Sequence, residues 1–106
     1  MDLDDLVARI GKKAEDRLKT ELKDGLILAL HHPDDFVRQN ADQLEQALRL
    51  QAHGQLGADD VRTLLTKQRI LAQLEAGRAS IERRARIQQL CIDLIDTAVE
   101  VVVAGL

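Results

Sequence analysis

The residues in this chain best equipped to hold a metal ion are His31, His32, Asp34 and Asp35, gathered around Pro33. Imidazole and carboxylate together are a zinc-type donor set. The spacing works against it, because adjacent residues on a helix project about 100° apart and both rings reach one ion only if the bend at Pro33 helps. A polar helix end is the simpler account of the cluster. Asp93, Asp96 and Glu100 form a second group of acids. A di-metal bundle site needs a Glu-x-x-His pair on facing helices, and the chain contains none. No metal and no cofactor is expected.

A third group is basic. Lys67, Arg69, Arg78, Arg83, Arg84 and Arg86, offset by Glu75 and Glu82, make a local excess of positive charge of the kind that attracts phosphate. Arg78, Arg83, Arg84 and Arg86 are the candidate nucleic-acid contacts. Arg83, Arg84 and Arg86 spread around the helix rather than forming a stripe, and no aromatic residue interleaves them to stack on bases. The turn at His53–Ala58 is also longer than a helix-turn-helix uses. A solvated, ion-paired face is the better reading. Serine occurs once, at Ser80, and cysteine once, at Cys91, inside the apolar Leu90–Ile92 run where a structural thiol is expected. With no glycine-rich phosphate loop either, a non-enzymatic protein is expected.

The composition limits what could position any such site. The 106 residues make one small domain, 31% charged and 45% hydrophobic, which is far from the signature of disorder. Phe36 is the only aromatic residue, so Leu, Ala, Ile and Val must build the core, and that suits packed helices. A net charge of -3 implies neither nucleic acid nor an anionic membrane. One cysteine rules out an internal disulfide, and no signal peptide is visible at Met1–Ile10, so a cytoplasmic setting is expected. No apolar run reaches the roughly 20 residues of a membrane span.

Three helices are read from the pattern, at about 3–31, 33–52 and 59–104. In the first, Leu6, Ile10, Ala14, Leu18, Leu22, Leu26 and Leu30 keep a stride of four, and the stripe drifts by roughly 240°. That drift calls for a bend near Gly25, or for Gly25 as a cap before a separate Leu26–His32 segment. Pro33 opens the second helix at its first position, with Asp34 and Asp35 favoured by the helix dipole. Phe36, Val37, Ala41, Leu44, Ala47 and Leu48 face inward, and His53-Gly54 ends the helix. Asp59 and Asp60 open the third.

The third helix carries a heptad: Leu64, Lys67, Leu71, Leu74, Arg78, Ile81, Ala85, Gln88, Ile92, Ile95, Val99, Val102 and Leu106. The seam crosses Gly77 undisturbed, which favours a continuous helix. The competing reading breaks it there, with Ser80 capping a new helix in a folded-back bundle. At about 1.5 Å per residue the first two helices together span roughly 72 Å and the third roughly 69 Å. The match predicts an antiparallel hairpin with Arg78 near Asp34 and Asp35, Arg69 near Asp42, Lys67 near Glu45, and Asp96 near Lys12 and Lys13.

From Ile87 onward the polar residues Gln89, Asp93, Asp96, Thr97 and Glu100 occupy a sector of about 100°, and nearly all the rest is apolar. Such a helix needs two or more neighbours, and a lone hairpin supplies one. Ile81, Ile92, Ile95, Val99 and Val102 are therefore the candidate interface of a homo-oligomer, dimer or higher. The alternative is that they complete the chain's own core. The expectation is an all-α protein: a long antiparallel helical hairpin, with a kinked first arm and a long C-terminal helix, assembling into an oligomeric helical bundle. Its function would be structural or regulatory assembly, as scaffold, adaptor or small inhibitor, with a protein partner conceivable. The alternative is a small dimeric nucleic-acid-binding regulator using the arginine-rich middle of the last helix.

Overall fold

Cap chemistry divides the chain into more helices than its apolar pattern does. The computed structural model describes residues 1–105, and Leu106, the last heptad position, lies outside the described residues. The helices are α1 (Leu3–Ile10), α2 (Asp16–Leu30), α3 (Asp35–Ala52), α4 (Ala58–Arg78), α5 (Ile81–Ile87) and α6 (Asp93–Ala104), with a π-helical turn at Gln88–Ile92 joining α5 to α6. No strand occurs among the described residues, and no helix there is long and apolar enough to cross a membrane.

The first expected helix is broken at residues 11–15, not at Gly25. Asp2 caps α1, its Oδ1 accepting from the Asp5 N–H at 2.9 Å, and Gly11 closes it by donating to the Val7 carbonyl at 2.9 Å. The turn resets the stripe, which removes the drift that a single helix would carry. Gly25 sits inside α2 for a different reason. A Cβ there would come within 2.6 Å of Leu94 Cδ1, so the glycine lets α2 lie close against α6. Pro33 does separate two helices, but the second begins two residues later than expected, at Asp35. Asp34, not Pro33, is the boundary residue, and its Oδ1 accepts from the N–H groups of Phe36 and Val37 at 3.0 and 3.3 Å.

At the far end of α3, Gly54 takes a φ of +75°. Its N–H donates to the Gln51 carbonyl at 3.0 Å and the Gln55 N–H to the Leu50 carbonyl at 2.9 Å, the paired bonds of a Schellman cap. Asp60 then closes the N-terminus of α4 by accepting from the Gly57 N–H at 3.2 Å.

The long hairpin does not form. Ala79 adopts extended backbone, Ser80 Oγ accepts from the Arg83 N–H at 3.3 Å, and the chain reverses there. The folded-back arrangement follows, with principal extents of 38 × 23 × 21 Å and a radius of gyration of 13.0 Å. That is the value expected of a globular domain of about 100 residues, and no dimension approaches 70 Å. The expected cross-hairpin charge pairs are replaced by those of the shorter turn: Arg69 Nε meets Asp96 Oδ1 at 2.7 Å and Arg83 Nη1 meets Glu75 Oε1 at 3.2 Å. The reason lies in α6. Leu94, Ile95, Ala98, Val101 and Val102 are buried against α2 and α4, which only a reversal near Ser80 allows. The π turn assists, because its extra residue puts Ile87, Cys91 and Ile92 all in the interior. Leu6, Leu22, Leu26, Leu44, Leu48 and Leu65 fill the remainder of one core.

Candidate functional site

Helix α4 has two apolar faces. The inner one is Val61, Leu65, Gln68, Ala72 and Ala76, all buried, and its alanines admit close packing by the C-terminal arm. The outer one is the first part of the heptad. Leu64 is 40% exposed, Leu71 55% and Leu74 59%, with Lys67 and Arg78 between and beyond them, also exposed. At 100° per residue these five positions fall within a sector of about 80°, centred about 120° from the buried face. Ile70 widens the patch on one side. Three large leucines and Ile70 thus lie outside, while the inner face combines Val61 and Leu65 with the small Ala72 and Ala76.

On its other side the stripe borders a groove. Gln43, Gln46, Ala47 and Leu50 of α3 face Leu64, Lys67 and Leu71 of α4 across a cavity of about 290 Å³. A smaller recess of about 80 Å³ continues from it past Phe36, Gln39 and Asn40. Asn40 and Gln68 are the buried polar residues among the described ones. Gln68 Nε2 donates to the Asn40 carbonyl at 3.0 Å and to Gln43 Oε1 at 3.3 Å, which ties α4 to α3. Two atoms are left over, the Asn40 Nδ2 donor and the Gln68 Oε1 acceptor, neither with a hydrogen-bond partner. Lys67 is the only charged residue lining either recess.

The five expected interface residues are not brought together on a surface. Ile92, Ile95 and Val102 lie in the chain's own core and Val99 is half-buried against it, so the neighbours that the apolar C-terminal helix required come from the same chain. Ile81 stands apart, 84% exposed at the start of α5.

The candidate nucleic-acid contacts are largely engaged internally. Arg83 Nε donates to Asp34 Oδ2 at 2.7 Å and Nη1 to Glu75 Oε1 at 3.2 Å. Arg78 reaches the other Glu75 oxygen at 3.3 Å, and Arg84 Nε donates to the Ala76 carbonyl at 3.0 Å, at the open end of α4. Arg86 has no ion-pair partner among the described residues. The Arg83 hydrogen bond, helped by the Val37 and Phe36 N–H groups, holds the Asp34 carboxyl below its ordinary range, although burial works against this.

The histidines serve the backbone. His31 Nδ1 lies 2.9 Å from the Ile27 carbonyl, and His32 Nδ1 accepts from the Asp34 N–H at 3.0 Å. Asp93 accepts from Gln88 Nε2 at 2.9 Å and Asp96 holds Arg69, so two of the three C-terminal acids are already committed. The Cys91 thiol is fully buried, and burial pushes its pKa up to about 12, which suppresses the thiolate.

Sequence reasoning missed the outer face of α4, although the signal was present. Two apolar stripes run through residues 61–78, and the one rich in alanine is the one that packs closely. No protein-family model, no curated protein and no solved structure matches this chain.

Proposed function

We propose that this is a non-enzymatic assembly protein, a scaffold, adaptor or small inhibitor, that acts by packing a helix of another chain against the outer face of α4. The observation carrying this reading is the exposure of Leu64, Leu71 and Leu74 at heptad spacing beside an apolar groove. Such a stripe is the geometry that side-by-side helices bury, and the apolar area left in water supplies the driving force. Ile92, Ile95 and Val102 are inside the chain's own core, which supports the α4 face rather than those residues as the surface offered to a partner.

The experiment is binding of helical peptides with leucine at heptad positions, in acidic, neutral and basic versions, followed by backbone amide shifts. Shifts should concentrate in Leu64–Arg78 and Gln43–Leu50. The double variant Leu71→Glu, Leu74→Glu should abolish them while the melting temperature stays close to the parent's, because both side chains are exposed. Absence of binding to every peptide, together with a monomer at high concentration, would refute the proposal.

A further inference from the structure

Resting on that reading, we infer that the occupant of the α4 face is a second copy of this chain, with the two α4 helices antiparallel and centred on residue 69. The exposed stripe begins one step before the leucines. Asp60, Leu64, Lys67, Leu71, Leu74 and Arg78 follow steps of four, three, four, three and four, an unbroken run of heptad core positions. All six are exposed, and at 100° per residue Asp60 falls at the middle of the sector of about 80° that the other five occupy. The spacing is the same read from either end, so the stripe can face itself.

Reversed against itself, it is complementary along its whole length. Asp60 faces Arg78 of the second copy, Leu64 faces Leu74 of that copy, Lys67 faces its Leu71, and symmetry repeats each pair. A stripe that meets its own complement on reversal is what a twofold interface requires. Both charged ends are available. Asp60 accepts from the Gly57 N–H at 3.2 Å, while the neighbouring Arg62 pairs with Asp59 at 3.6 Å. The Arg78 side chain is 76% exposed and shares Glu75 with Arg83. At the Lys67 layers the aliphatic stem covers a leucine and the ammonium reaches water at the edge of the seam. Ile70, beside the seam on the side away from α3, comes near Ile70 of the second copy at the twofold axis.

A parallel pair in register sets Asp60, Lys67 and Arg78 each against itself. Like charge then meets like at half of the layers, which selects against that arrangement. Antiparallel packing also lays the N-terminal end of each α4 beside the C-terminal end of the other, where the helix dipoles attract. The lysine layers and the small contact limit its strength. One pair of 21-residue helices, about 32 Å long, buries less than the roughly 1,600 Å² of a standard interface. A dissociation constant on the order of 100 μM follows, and the monomer prevails at low micromolar concentration.

The test is sedimentation equilibrium of the full chain from about 10 μM to about 1 mM, where a weak dimer shows as a mass climbing toward twice the monomer's. Asp60→Lys and Arg78→Glu should each weaken the dimer at least about tenfold, because each turns both end layers into like-charge layers. Mixed in equal amounts, the two variants should associate again, since each then offers the charge that the other lacks; that recovery also shows that both are folded. Lys67→Leu should tighten the dimer at least about tenfold by removing the cation from the seam. A dimer that neither end variant weakens, or whose mixture fails to recover, would overturn the antiparallel register. A dimer that survives Leu71→Glu would place the interface elsewhere and overturn the inference as well. A chain that stays monomeric at the highest concentration while leucine peptides bind it would give the α4 face to a different protein. Monomer together with no peptide binding would remove the docking reading itself.

Discussion

Truncating Ile95 distinguishes a residue of the chain's own core from a residue of an interface between chains. Ile95 is fully buried on α6, the helix that packs against both α2 and α4. Replacing it by alanine removes three carbons, worth about 2.4 kcal/mol in transfer at roughly 0.8 kcal/mol each. The cavity adds about 1–2 kcal/mol, since neighbours on three helices relax only in part. A loss of about 3.5–4.5 kcal/mol follows, against a total of roughly 5–15 kcal/mol for a domain of this size. With a urea m-value of about 1.5 kcal/mol/M, the midpoint should fall by about 2.5 M. Unfolding followed at two protein concentrations a hundredfold apart completes the assay. A core residue gives the same loss at both, whereas an inter-subunit residue gives a midpoint that climbs with concentration. A loss under about 1 kcal/mol, or a concentration-dependent one, would refute the placement of α6. Leu71→Ala is the control: more than half exposed, it should change stability by less than about 0.5 kcal/mol.

Two glycines should respond with opposite sign to alanine. Gly54→Ala forces a Cβ into left-handed backbone and should cost about 1–2 kcal/mol, while Gly77→Ala, in open helical surroundings, should gain up to about 1 kcal/mol; thermal melts read both. Asp34 contributes to acid stability. Its folded pKa is lowered, so the unfolded state takes up the proton first as pH falls, and the contribution is present above about pH 4 and lost as pH drops through the lower folded value. Asp34→Ala should therefore flatten the acid limb of urea midpoints measured from pH 6 to pH 2, and at neutral pH should cost about 1–2 kcal/mol through the lost cap. Alkylation of Cys91 at pH 8 should run about three orders of magnitude slower in the native protein than in urea, and mass spectrometry would detect prompt native labelling if the thiol were accessible.

Local chemistry was the legible part of the sequence. Gly54 and the acids at Asp34-Asp35 and Asp59-Asp60 act at helix ends within a few residues of themselves, so those ends read from type and position, whereas Pro33 marked the junction but not the boundary residue. Gly25 and Ser80 did not read that way. Gly25 is accounted for by Leu94, nearly seventy residues away, and the Ser80 cap competes with a heptad that passes it without interruption. The expected heptad seam is broken at Ala79–Ser80, and only its first part, within α4, shares one face. An a/d stripe says which side chains share a face. It does not say whether that face looks inward or outward. In α4 the answer depends on Ala72 and Ala76, whose small size draws the C-terminal arm to the other side. The same gap hid the site, since an exposed leucine and a buried one are identical in sequence. Likewise, the apolar girth of α6 correctly demanded several neighbours, yet nothing local says that they belong to the same chain.

The contact between Gly25 and Leu94 has a further consequence for how the protein is made. Helices α1 to α3 leave the ribosome with α2, which carries Leu22, Leu26 and Ala29, only partly covered, because α6 is one of the elements that packs against it. At about 5–20 residues per second, the interval between synthesis of Ala29 and of Val102 is on the order of 4–15 s. Through that interval the part of the α2 face that α6 covers lacks its native partner, although α1 and α3 already pack against α2, and it is a substrate for holding chaperones and for premature pairing with neighbouring nascent chains. Folding therefore waits for translation to pass Val102, and pausing before that point should prolong chaperone occupancy rather than help the earlier helices to settle.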